Sequence, residues 1–124
     1  MSHFTSIETQ IRDTAALREA CRELGIELLE HATARGYNGN THQGDLVIRL
    51  RGPYDVALNL QDGRYGLTCD WWDGHVEREL GPRCSTLFQL YGVHKAQAEA
   101  RRKGYTTRRQ QLGDGSIKLT IGGL

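Results

Sequence analysis

Residues 45–72 read DLVIRLRGPYDVALNLQDGRYGLTCDWW, and this stretch decides the fold. Leu46, Ile48 and Leu50 alternate with Val47, Arg49 and Arg51, the period-two pattern of a half-buried strand. Gly52-Pro53 breaks the run, and Tyr54, Val56, Leu58 and Leu60 then repeat the pattern as a second inward row. Asp62-Gly63 follows, a dipeptide that accepts positive φ and so turns a hairpin. Tyr65, Leu67, Cys69 and Trp71 make a third apolar row. Three such runs joined by short breaks predict an antiparallel meander.

The flanks complete the pattern. Residues 3–11, HFTSIETQI, have strand composition. Residues 12–25, RDTAALREACRELG, predict a helix: Asp13 or Thr14 can cap it, Leu17, Cys21 and Leu24 share one face, and Gly25 suits the stop. Residues 26–34 read as a strand, and 35–45, RGYNGNTHQGD, as a polar loop. Over residues 85–103 the period becomes helical, with Leu87, Leu90, Tyr91, His94 and Ala98 on one stripe. Residues 105–121 predict two strands around Asp114-Gly115, with Ile117, Leu119 and Ile121 toward the core. The order implies an α+β fold, a two-layer sandwich whose mostly antiparallel sheet carries both helices on one face; a ferredoxin-like core with an added hairpin satisfies it. With no linker, low-complexity run or repeat, residues 1–124 are expected to form a single domain.

Composition narrows the function classes. No run approaches the ~18 apolar residues of a membrane helix, so no membrane partner is expected. MSHFTSIETQ lacks the basic and apolar regions of a signal peptide, which makes the cytoplasm the expected compartment. Cys21, Cys69 and Cys84 are odd in number and form no CxxC pair, so they read as reduced, small hydrophobes. The net charge of +1 argues against strong nucleic-acid binding. The charge is nevertheless uneven: residues 1–62 carry six Lys/Arg and nine Asp/Glu, residues 63–124 ten and six. The excess gathers at Arg101, Arg102, Lys103, Arg108 and Arg109. A helix C-terminus favours such cations, so a solvated face is the plain reading and a surface for phosphate or an acidic partner the sharper one. Only Tyr105 stands nearby for base stacking.

The candidate chemistry centres on CDWWDGH, residues 69–75. Neighbours in a strand point to opposite faces, so Trp71 belongs with the core row and Trp72 must find cover elsewhere, from a loop, another copy or a partner. His94 sits on the apolar stripe of the second helix. It is either a buried, hydrogen-bonded histidine or a proton-transfer group facing Asp70, Asp73, Cys69 and His75. Cys69, His75, Cys84 and His94 lack the close ligand pairs of a zinc site, so no metal or cofactor is assigned. Cys84 precedes a helix, a position that can lower a thiol pKa, but GPRCST reads equally as the start of that helix with Ser85 or Thr86 as cap. No nucleophile elbow or phosphate-binding loop occurs, and no catalytic residue is assigned.

The motifs MSHF, IRD, GYNGN, YDVAL, DWWDG, QLYGVHKA and DGSIKLTI, in that order, resemble one family: a conserved family of unknown function found in cyanobacteria, in algal plastid genomes and in some other bacteria. The resemblance spans nearly the whole chain, with Cys69 where the family pattern has alanine and Gly92-Val93 where it has a more aromatic pair. It maps the family's tryptophan pair to Trp71 and Trp72 and its helical pair to Tyr91 and His94. Through shared genome neighbourhoods it implies an association with MoxR-type AAA+ ATPases, and it brings no activity with it. The expectation is a non-enzymatic interaction module, self-associating, that docks a protein partner through Trp72, with Asp70, Asp73, Tyr91 and His94 completing the binding set. The alternatives are a small-ligand or enzymatic site between the second helix and the meander, and weak nucleic-acid binding through the basic run.

Overall fold

Asp13 starts the first helix: its carboxylate accepts N–H bonds from Ala15 and Ala16, and Gly25 at φ 72° stops it. In the computed structural model, which describes residues 3–123, that helix is α1, Thr14–Leu24. It follows β1, Phe4–Glu8. After it come β2 (Glu27–Arg35), β3 (Thr41–Arg49), β4 (Val56–Gln61) and β5 (Arg64–Asp70). Two helices follow, α2 (His75–Leu80) and α3 (Ser85–Arg102), then β6 (Thr106–Gln111) and β7 (Ile117–Gly122). Among the described residues no helix is long and apolar enough to cross a membrane.

The first five strands form one antiparallel sheet in the order β1-β5-β4-β3-β2. One face carries the helices. Leu17 and Cys21 of α1, Val76 and Leu80 of α2, and Leu87, Leu90 and Tyr91 of α3 close over Leu46, Ile48, Val56, Leu58, Leu67 and Cys69. The architecture is therefore the expected α+β two-layer sandwich.

Several details differ from the sequence reading, each for a local reason. The short helix α2 is new; its six residues are too few to show a helical period. The polar stretch 35–45 is not all loop, because β3 already pairs with β2 from Thr41 onward and backbone bonds alone support that pairing. β6 and β7 form a separate two-stranded sheet, so the strands after α3 stay outside the main sheet and the ferredoxin-like option is not adopted. Ile117 packs on the core, whereas Ile121, at the far end of that ribbon, is exposed. Leu60 is also exposed, one pair from the turn at the sheet's end.

The second face of the sheet is covered by the chain itself. Val47 and Ala57 point away from the helices, yet both are fully buried, with Ala34 packed on them and Ala32 beside it. In a flat hairpin Ala34 would lie opposite His42, far along the strand from Val47. The distal half of the β2–β3 hairpin therefore folds back over the sheet. The bend lies at His31, which has φ 48°, and at Gly44. A Cβ on Gly44 would sit 2.5 Å from the Leu46 carbonyl oxygen and 2.9 Å from a Val47 methyl, so only glycine fits. The alanines let the two layers approach closely.

Asp55 locks this arrangement. It is 0% exposed. Its Oδ2 accepts from the Arg35 N–H (2.9 Å) and Nε (2.7 Å), and its Oδ1 from Arg35 Nη2 (2.8 Å) and the Leu50 N–H (3.1 Å). The Asp55 N–H donates to the Arg35 carbonyl, and Arg49 Nε stands 3.4 Å from Oδ2. Burial is the largest single influence on this carboxyl and raises its pKa. The bonds from the Arg35 side chain and backbone and from Leu50 together outweigh it and hold the group below the ordinary carboxylate value. Removing one partner of a buried pair leaves the other uncompensated, so Asp55→Ala should cost about 3 kcal/mol or more in chemical denaturation. A carboxyl whose folded pKa is depressed contributes stability that is present above its unfolded pKa, near 4, and is lost as pH falls through the folded value. Wild-type stability should therefore drop on acidification below about pH 4, and the Asp55→Ala curve should be flatter there.

Candidate functional site

β5 ends at Asp70, which lies with Thr68 on the face opposite Leu67 and Cys69. Asp70 is 1% exposed. Its Oδ1 accepts the Trp72 N–H at 2.9 Å, and its Oδ2 accepts the Tyr37 N–H at 3.3 Å. Tyr37 opens the single helical turn Tyr37–Gly39 at the tip of the folded-back hairpin, and Trp72 opens the turn Trp72–Gly74. The two turns share a residue pattern: aromatic, Asn or Asp, Gly. Asn38 and Asp73 both have φ 55°, and Gly39 and Gly74 follow in the same left-handed region. Asn and Asp enter that region more readily than other side-chain-bearing residues, because their short polar groups bond locally.

The aromatic heads of the two turns meet. The rings of Tyr37 and Trp72 pack edge-on, with centroids 6.0 Å apart and planes at 76°. Tyr37 is 40% exposed and Trp72 50%. One buried carboxylate thus fixes the backbone of both exposed aromatics. Tyr54 lies buried nearby, edge-on to His75 at 4.8 Å. Burial raises its phenol above the ordinary value, and the charges of Asp70, Tyr37 and Asp73 add to that. His75 Nδ1 is 3.1 Å from Arg78 Nη1, and Arg78 Nη2 also donates to the Asp73 carbonyl.

The two tryptophans divide as expected, though for a different reason. Trp71 is not in a strand: its φ of −82° and ψ of 2° already leave the pleat. It still packs against the core, and the Arg83 guanidinium covers its ring at 4.8 Å, while its indole nitrogen is buried without a partner. Trp72 is outside because the next turn carries it there.

The other residues of the expected binding set lie elsewhere. The Tyr91 hydroxyl accepts the N–H groups of Arg12 and Asp13 at 2.9 and 3.0 Å, which anchors the approach to α1. His94 faces α1 and not the sheet: its Nε2 is 2.8 Å from Glu23 Oε1. Arg109 forks onto the same carboxylate at 3.0 and 2.9 Å. The Arg109 hydrogen bond is the main reason the Glu23 carboxyl lies below its ordinary value; burial opposes it and His94 adds to it. Tyr91 and His94 therefore do not converge with Asp70, which lies on the other face of the sheet, and neither shares a hydrogen bond or ion pair with Asp73. Leu87, Leu90 and Tyr91 of α3 pack into the core against the meander. The basic run is also divided: Arg109 is committed to Glu23, whereas Arg101, Arg102, Lys103 and Arg108 are exposed. Sequence reasoning missed Tyr37, although the shared aromatic-Asx-Gly pattern of GYNGN and DWWDG was visible.

The three cysteines are free and buried. Burial pushes Cys21 up to about 11 and Cys84 up to about 12, and it raises Cys69 as well. The position of Cys84 ahead of α3 does not produce a thiolate; burial and the nearby Glu77 charge prevail. Cys69 and Cys84 lie in the core, while His75 faces Tyr54 and His94 faces Glu23. Among the described residues no group of three or more His, Cys, Asp or Glu gathers as a metal site.

Two outcomes follow from this geometry. Asp70→Asn retains at most one good acceptor for the two turns, so amide hydrogen exchange at Tyr37 or Trp72 should quicken by about tenfold or more, while the core amides stay protected. A thiol reagent such as DTNB at neutral pH should label the native protein only slowly and should label all three cysteines once guanidinium unfolds it.

The family model described as "Protein of unknown function (DUF1257)" matches residues 20–120. "Uncharacterized protein ycf35" of Pyropia yezoensis is 30% identical over 124 residues, spanning 98% of this chain and 96% of its own. The protein of the same name from Cyanophora paradoxa is 25% identical over 125 residues, with the same coverage. No solved structure matches. The chain belongs to the DUF1257 family of proteins of unknown function.

Proposed function

We propose that this protein is a non-enzymatic interaction module of the cytoplasm that docks a protein partner through Tyr37 and Trp72. The supporting observation is that two large, half-exposed aromatics are held in fixed positions by the backbone bonds to Asp70. The arrangement is costly to maintain. It needs a buried carboxylate, two consecutive left-handed residues in each turn, and apolar area left in water. Neither ring covers the helix-side core, so packing gives no reason for the expense. Rigid aromatics with a polar edge are the usual anchors of protein interfaces.

The rival readings draw less support. For a ligand or enzymatic site, the groups on α3 are engaged: Tyr91 holds the approach to α1, and His94 holds Glu23. For nucleic acid, Arg109 is withdrawn from the basic run.

The family resemblance makes a MoxR-type AAA+ ATPase the partner to test first. Surface-immobilised protein should bind the purified ATPase, and Trp72→Ala should weaken that binding by about tenfold or more. Circular dichroism should be unchanged, since Trp72 is half exposed. Equal affinity of wild type and variant would remove the aromatic corner from the interface. No binding by the wild type would remove the ATPase.

A further inference from the structure

The two buried aspartates are in different electrostatic situations. Asp55 has Arg35 and Arg49 at its carboxylate, the latter at 3.4 Å. Asp70 accepts two backbone N–H bonds, and no Lys or Arg pairs with it among the described residues. A buried carboxylate without a cation is an uncompensated charge, and buried charges are ordinarily paired. One turn further on, the Asp73 side chain is 65% exposed, and its carboxylate has only loose contacts, 3.7 Å to His75 Nε2 and 3.9 Å to Arg78 Nη2. Burial is the main cause of the raised phenol of Tyr54, and the charges of Asp70, Tyr37 and Asp73 add to it. The half-exposed Trp72 indole brings the negative lobe that an aromatic face carries.

We propose that the Tyr37–Trp72 corner receives an arginine or lysine side chain from a basic segment of the partner, with the cation on the Trp72 indole and Asp73 as its carboxylate. Asp70 attracts the same cation from beneath. Its carboxylate is out of direct reach, but its field acts in a medium less polarisable than water. The long aliphatic stem of the incoming side chain covers the apolar edge that Tyr37 leaves in water. Arginine suits the corner best, since its planar guanidinium stacks on an indole and forks onto a carboxylate at once. This inference rests on the docking reading and adds the chemistry of the partner to it.

The test uses the full chain and a capped peptide, acetyl-GRGRGRG-amide, followed by nuclear magnetic resonance. The indole N–H signal of Trp72 should shift saturably on titration, and that of Trp71 should stay. Affinity should fall as salt rises. The citrulline version of the peptide, isosteric but uncharged, should give no shift. Trp72→Leu and Asp73→Asn should each weaken binding by about fivefold or more; asparagine accepts the left-handed conformation at position 73, so the turn persists in that variant. An equal shift from the citrulline peptide would show a merely apolar contact and overturn the proposal. So would an unmoved Trp72 signal, or one that moves with protein concentration alone, which would place a second copy of this chain in the corner. The two readings fail separately. If the ATPase binds through Trp72 and the arginine peptide does not compete, docking stands and the cation falls. If Trp72→Ala leaves partner binding intact, the docking reading itself falls.

Discussion

The distal half of the β2–β3 hairpin lies against the face of the sheet that the helices leave open, and the ion pair between Asp55 and Arg35 keeps it there. Without that cover Val47 and Ala57 would face water and the sheet would be a single-sided layer. With it, the hairpin tip arrives over the end of β5, where Asp70 can take the Tyr37 N–H. The aromatic corner is thus a consequence of the fold-back. A flat hairpin would carry Tyr37 away from Trp72, and the two turns would never meet.

Three carboxylates do comparable work at three joints. Asp55 holds the hairpin to β4, Asp70 holds the hairpin tip to the end of β5, and Glu23 gathers His94 of α3 and Arg109 of β6 onto α1. Glu79 adds a fourth tie, accepting the N–H groups of Arg51 and Gly52 and so binding the break in the meander to α2. At each joint directional bonds add to the apolar packing and fix the register of the segments they connect. An isolated two-stranded ribbon such as β6–β7 is marginal by itself. Its position on α3 therefore depends on the packed Ile117 and on the fork from Arg109 to Glu23. This accounts for charged residues that a sequence reading assigns to chemistry or to solvent. His94 and Arg109 are used to fasten one layer to another.

The sequence by itself determined the meander, both long helices, and the caps and buried face of α1, whereas α3 begins at Cys84 without the side-chain cap expected from Ser85 or Thr86. Those features rest on period, on Gly25 and Asp13, and on the Asp-Gly turns, all of which act between residues close in the chain. It also anticipated that Trp71 and Trp72 differ in fate, although the turn after β5 and not strand alternation separates them. The tertiary structure decided everything that joins distant segments. The partners of Asp55 and Asp70 lie 20 and 33 residues away in the chain, and those of His94 and Arg109 lie 71 and 86 away. No local pattern encodes which carboxylate an arginine will meet across such distances. The bend at His31 and Gly44 was hidden for the same reason: a glycine in a polar stretch reads as loop, and only the opposing Leu46 carbonyl and Val47 methyl show why a side chain is forbidden there.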